Sequence, residues 1–272
     1  MTRKYTAILT FAIVTIFLGA CKQSDPIEDE LLLVWSDEFD GDELDNQKWE
    51  AMIGNGSQYG LWGWGNGEEQ YYLEENASVS SGFLRIKAIK QPFGEQEYTS
   101  ARLRSLNMGD FKYGRVEASI RMDAVEGLWH AFWMLPSNPD ASWPVSGELD
   151  IMEYVGGSPN ELLTTIHFAD QNANHAYLGE VHPFLNDNEF HLYSMEWDEN
   201  QVIWFIDNVE VYVVNRSFSS FNAGWPFDAK FHMLLNVAVG GNLGGNVNDA
   251  ALSSPRYMYV DYVRVFQKLS VN

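Results

Sequence analysis

Three carboxylates crowd one short apolar stretch, Gly147 to Gly156, GELDIMEYVG: Glu148, Asp150 and Glu153. On a strand, Glu148 and Asp150 share a face, because side chains alternate with a period of two. Glu153 lies five residues from Glu148, and strict alternation sends it to the other face. A β-bulge at Met152 would reset the parity and return Glu153 to the row. The two glutamate Cα atoms would then stand about 13 Å apart, at roughly 3.3 Å per strand step. Side chains leaning inward by about 3–4 Å each leave roughly 5–7 Å between carboxyls, in or near the window for retaining glycoside hydrolysis. Three close acids cannot all ionise cheaply, so they share protons and at least one pKa rises. Spacing alone leaves two other readings open, a solvated acidic strand edge and a metal site. The flanking Leu149, Ile151, Met152, Tyr154 and Val155 argue for a central strand, where unpaired charge is costly.

The elements that must hold these acids are strands. Alternation recurs in Arg115–Met122, Phe83–Ile89, His191–Trp197, Val202–Ile206, Phe231–Val239 and Tyr257–Phe266. Asp207 and Asn208 tolerate the left-handed region, and predict a tight hairpin between two of these runs. Helical periodicity is nearly absent. Many short strands without helices between them predict an all-β, two-sheet antiparallel sandwich.

The chain has 272 residues, one cysteine and a formal net charge of −21. The charge argues against a nucleic-acid partner, which needs a basic patch. Ten tryptophans exceed what such a core requires and suit stacking on flat ligands. Arg3 and Lys4 precede an apolar run too short for a stable span, which predicts an export signal over residues 1–20. The only cysteine, Cys21, follows at once, and the polar, acidic residues 21–31 read as a tether. A lone cysteine forms no intrachain disulfide, so the domain of residues 32–268 must rest on core packing.

GELDIMEYVG closely resembles the active-site signature of glycoside hydrolase family 16 in its bulged form, E-x-D-x-x-E. WSDEFDGDELDNQKWE, WGWGNGEEQYY, YTSARL, GLWHAFWMLP, WPVSGE, LNVAVGGN and VDYVRVFQ resemble the same family in the same order. The resemblance covers about Trp35 to Gln267, and within the family is nearest to laminarinase-like endo-β-1,3-glucanases of bacteria. It implies a jelly roll with a concave substrate cleft, Glu148 as nucleophile, Glu153 as acid/base and Asp150 orienting Glu148. It implies substrate contacts from Trp143, Asn66, Arg102 and His167. Trp129 and Trp133, four apart and so on one face of a strand, are candidates for the cleft wall. Trp62 and Trp64, in a Gly-rich loop, are candidates for outer subsites, and Asn236 and Asn242 for the sugar-binding sheet or its rim. LGAC, ending at Cys21, resembles a lipobox, implying a lipid-anchored protein of the bacterial cell envelope, at the outer membrane and facing the periplasm or the surface.

No cofactor is expected for catalysis, since no His/Cys cluster has metal-ligand spacing. The resemblance does imply a structural calcium on the convex face, at Glu38, Gly82 and Asp261, partly through backbone carbonyls. His130 departs from the proline common at its position in laminarinase-like members, and adds a titratable donor that would bear on subsite specificity. The expected protein is a monomeric retaining endo-hydrolase of β-1,3-glucan. The alternatives are the same chemistry on a mixed-linkage β-glucan or agar-type galactan, and a non-catalytic carbohydrate-binding lipoprotein.

Overall fold

The computed structural model describes residues 31–221 and 224–268. The signal segment, Cys21 and the acidic tether through Glu30 lie outside the described residues. Leu31, assigned to the tether above, already belongs to the first strand, where it pairs with Lys268.

The strands build two sheets. The outer sheet runs, edge to edge, through Val209–Asn215, Gln201–Ile206, His191–Trp197, Gly114–Met122, Arg256–Lys268, Phe83–Phe93, Gln96–Ser100 and Gln70–Tyr72. Leu31–Asp37 and Ala77–Ser80 add to it from the side. The inner sheet runs through His175–Pro183, Glu161–Ala169, Glu148–Val155, Leu128–Pro136, Phe231–Val239, Arg102–Arg104 and Glu50–Ala51, with Asp110–Phe111 beside Phe231–Val239. Among the described strands one pair departs from the antiparallel rule: Gln70–Tyr72 runs parallel to Gln96–Ser100. Between the sheets lies the main core, with Ile86, Ile120, Tyr193, Trp204 and Val263 from one side and Phe132, Leu149, Ile166 and Leu235 from the other.

Alternation explains most of these placements. Val116, Ala118, Ile120 and Met122 are buried, as their shared face requires. Glu117 on the opposite face is buried too, because the Arg115 guanidinium covers it at 2.8 Å. Asp207 and Asn208 take φ values of 50° and 63° and close the hairpin in which Ile206 pairs with Val209. Phe231–Val239 is buried along its whole length, as befits a central strand covered on both faces. Among the described residues no helix is long and apolar enough to cross a membrane.

His130 corrects one expectation. On the Leu128–Pro136 strand it shares parity with Leu128, Phe132 and Met134, all fully buried, so it faces the core and not the cleft. Its ring packs 5.8 Å from that of Tyr154, and neither ring nitrogen has a well-formed hydrogen bond. Burial pulls its pKa down to about 4, so it is neutral in the folded protein. The unfolded chain takes up that proton near the ordinary histidine value of about 6.5. Stability from His130 is therefore complete above about pH 6.5 and drains away as pH falls toward 4. His130→Leu should shrink the loss of unfolding free energy between about pH 7.5 and about pH 4.5 by roughly 2–3 kcal/mol, read from urea titrations. An equal loss in both proteins would place the acid lability elsewhere.

Candidate active site

The site grows from one irregularity in the Glu148–Val155 strand. Toward Leu128–Pro136, Asp150 pairs with Trp133 and Met152 with Phe132, leaving Ile151 without a counterpart. Toward Glu161–Ala169, Asp150 pairs with Thr165 and Glu153 with Leu163, so one residue is again extra. Both ladders thus carry the bulge expected at or beside Met152, centred on Ile151 and Met152, which are both buried. Beyond it the parity is reset. Glu153 pairs with the small Ala131 and receives the Trp129 indole N–H at 3.1 Å. Glu148 receives the Trp143 indole N–H at 2.6 Å. Between them, the Asp150 carboxylate lies 3.2 Å from His167 Nε2.

The charges are mutually frustrated. Burial pushes the Glu148 carboxyl up to about 8, and the neighbouring Asp150 charge adds to the rise. His167, the Trp143 N–H and Arg102 oppose it. Glu148 keeps a solvent-exposed edge, which softens the effect of burial. Glu153 is raised well above the ordinary carboxylate range, first by burial and then by the charges of Asp150 and Glu148. Asp150 also rises, through burial. The three cannot all be ionised near neutral pH. They share protons between them, and Glu148 has the shortest donor, the Trp143 N–H at 2.6 Å. One ionised and one protonated carboxyl on the same face is the pairing that glycoside hydrolysis requires.

Comparison with known proteins agrees with this geometry. Residues 65–254 match the model of glycosyl hydrolases family 16. The chain belongs to this family. A β-glucanase of Rhodothermus marinus is 37% identical over 280 residues, covering 98% of this chain and 95% of that protein. Among solved structures, the laminarinase catalytic domain of Thermotoga maritima superposes with a TM-score of 0.82 at 35% identity, covering 89% of this chain and all of that one. The laminarinase of Rhodothermus marinus gives 0.80 at 36% identity, covering 89% and 99%.

This family 16 site has two unlike halves. On one side of the acids lies a buried polar network. Trp133 donates to Asn236 Oδ1 at 2.7 Å, and Asn236 donates to the Tyr72 hydroxyl at 3.3 Å. Tyr72 donates to the buried Glu68 carboxylate at 2.9 Å, which also receives Gln70 at 2.7 Å and Asn66 at 3.3 Å. Arg102 lies buried between the Trp64 and Trp133 rings, 4.5 and 4.8 Å from their centroids. On the other side the surface is ringed and open. His167 Nδ1 meets His175 Nε2 at 2.7 Å. The His175 ring lies 4.6 Å from that of Trp143, and Tyr177 continues the row at 6.1 Å from both histidines.

Trp129, Trp143 and His167 contact the acids, Trp133, Arg102 and Asn236 lie in the network beside them, and Asn66 joins that network only through Glu68. Trp64 does not serve an outer subsite. It is buried against Tyr72, Met52 and Leu234, with its N–H on the Gly54 carbonyl, because it holds a left-handed turn inside the Gly-rich loop. Its neighbour Trp62 is 59% exposed and remains available. Asn242 is exposed on the Gly241–Gly244 turn, its backbone N–H bonded to the Asn66 carbonyl at 2.8 Å, which places it at the rim. Glu68, Gln70, Tyr72, His175 and Tyr177 were not singled out from sequence. The first three lie inside the GNGEEQYY motif. The last two carry no spacing signal, because their partners are across a strand pair.

The calcium residues fit only in part. Both Glu38 carboxylate oxygens are held by Arg264, at 3.0 and 2.7 Å, so that side chain offers no free ligand. Asp261 is the extra residue of a bulge between Val260 and Tyr262. Gly82 turns the chain into the strand whose Leu84 pairs with Val260. Backbone carbonyls and the Asp261 carboxylate are what these positions would offer. The family needs no catalytic cofactor.

Proposed function

We propose that this protein is a retaining endo-hydrolase of β-1,3-glucan. The observation that carries this reading is the bulge that sets Glu148 and Glu153 on one face with a shared proton load. The β-glucanase and laminarinase relatives support the substrate class. In the first step the Glu148 carboxylate attacks the anomeric carbon, while the Glu153 proton passes to the departing glycosidic oxygen. The glycosyl unit is now esterified to Glu148. The Trp129 N–H, already on Glu153, steadies the carboxylate left behind. In the second step Glu153 takes a proton from water, the water attacks the anomeric carbon, and Glu148 leaves with configuration retained. Asp150 orients Glu148 and is itself flanked by His167 Nε2 at 3.2 Å.

Glu148→Ala and Glu153→Ala should each lower turnover of laminarin by at least about 100-fold. Products should keep the β configuration, read by proton NMR at early times. Near-wild-type turnover in either variant would sink the assignment. Cleavage confined to agarose or lichenan, in a panel with laminarin and xyloglucan, would move the substrate but leave the chemistry.

Two further parts of the reading concern the rest of the chain. Export and lipidation at Cys21, with anchoring in the cell envelope, are supported by the basic-apolar-cysteine order of the first 21 residues. Cys21→Ser should move the protein from the membrane fraction to the soluble fraction; unchanged partitioning would refute the anchor. A structural calcium at Glu38, Gly82 and Asp261, held partly through backbone carbonyls, should raise the melting temperature. Excess chelator would then lower it and added calcium restore it, and no change in chelator would remove the ion from the account.

A further inference from the structure

The bulge raises a question that the acids themselves do not answer: what stops the strand from sliding back into ordinary register? A regular strand would rotate Glu153 away from Glu148 and restore a full ladder. The peptide at stake joins Asp150, the last residue in register on both sides, to Ile151, which has no counterpart toward Leu128–Pro136. Its carbonyl is deep between the sheets, and a buried carbonyl needs a donor. The donor comes from the opposite sheet. The Trp204 indole N–H reaches the Asp150 carbonyl oxygen at 2.9 Å, across 54 residues of sequence.

Trp204 is suited to this task. It is fully buried at the centre of the Gln201–Ile206 strand. Its pairing is itself irregular: Trp204 faces Tyr212 and Phe205 faces Glu210, so the ladder skips Val211 beside it. The Tyr212 ring packs 5.5 Å away. Irregularities on the two sheets therefore meet at one hydrogen bond. Before the bulge, Leu149 and Asp150 pair on both sides, and Glu148 pairs with His167. Glu153, beyond the bulge, pairs again with Ala131 and Leu163, in a register shifted by the extra residue that starts at this peptide.

We propose that Trp204 is a positioning residue for catalysis, acting from the far sheet by holding the Asp150–Ile151 peptide so that Glu153 stays in line with the leaving oxygen. The inference rests on the hydrolase reading above and deepens it, by naming the contact from the opposite sheet that holds the shifted register of Glu153. A buried tryptophan N–H generally finds an acceptor, so the test must separate positioning from simple core packing.

Trp204→Phe removes the donor. On a β-1,3-gluco-oligosaccharide, whose leaving group needs a proton, kcat should fall by about 10- to 100-fold, with KM within about twofold. On a β-1,3-linked diglucoside carrying a 2,4-dinitrophenyl leaving group, which departs without a proton, kcat/KM should stay within about threefold. Trp49→Phe serves as the control. Trp49 is equally buried and donates to Asp37 at 2.9 Å, far along the chain from the acids, and its loss should cost stability without this split. If phenylalanine leaves too large a hole, 3-benzothienylalanine at position 204 replaces the N–H by sulfur at nearly constant volume. Equal losses on both substrates, no loss on either, or the same split in Trp49→Phe would overturn the proposal. Wild-type turnover of the oligosaccharide checks the substrate reading separately. Should the wild type spare that glucan, the split is read on the polysaccharide that the panel selects.

Discussion

One extra residue between two ladders that otherwise run in register decides where the acids of this site point. Ile151 interrupts the pairing toward Leu128–Pro136, and the pairing toward Glu161–Ala169 shifts at the same place. Backbone parity then brings Glu153 to the face that already holds Glu148 and Asp150. Burial in one apolar pocket raises all three carboxyls, the Asp150 charge adds to the rise at Glu148 and Glu153, and the acids share protons. The chemistry is a consequence of the crowding, and the crowding of the bulge.

The surrounding residues divide the work of tolerating this arrangement. Indole donors face the two outer acids, Trp143 on Glu148 and Trp129 on Glu153, so each carboxylate has a fixed partner at the moment it carries charge. The buried chain from Trp133 through Asn236, Tyr72 and Glu68 gives one half of the cleft a preset array of polar groups. Arg102 sits beneath it between two rings, and its positive field reaches Glu148. The other half, with Trp143, His175 and Tyr177, is open and aromatic. A polar half suits hydroxyls that must be oriented, and an aromatic half suits pyranose faces that need only be stacked.

Much of this was legible in the residues. Alternation marked His191–Trp197 and Phe231–Val239 with the bounds the structure has. The wrong parity of Glu153 predicted the bulge. The placing of side chains near strand centres was harder to read. His130 looked like a cleft donor beside Trp129, but a single step of alternation turns it into the core. Trp64 looked like a companion of Trp62, yet a left-handed turn between them buries one and exposes the other. His175 gave no sign, since its partners His167 and Trp143 come from a neighbouring strand and a loop.

By itself, the order of residues determined the all-β character, the identity of the three acids and the need for a bulge, because these depend on local periodicity and on side-chain type. Only the tertiary structure decided which groups attend the acids. Trp204 is 54 residues from Asp150, and Asn236 lies 164 from Tyr72. Such pairs meet only when two sheets stack and strands order themselves across a sheet, and no spacing along the chain encodes that distance.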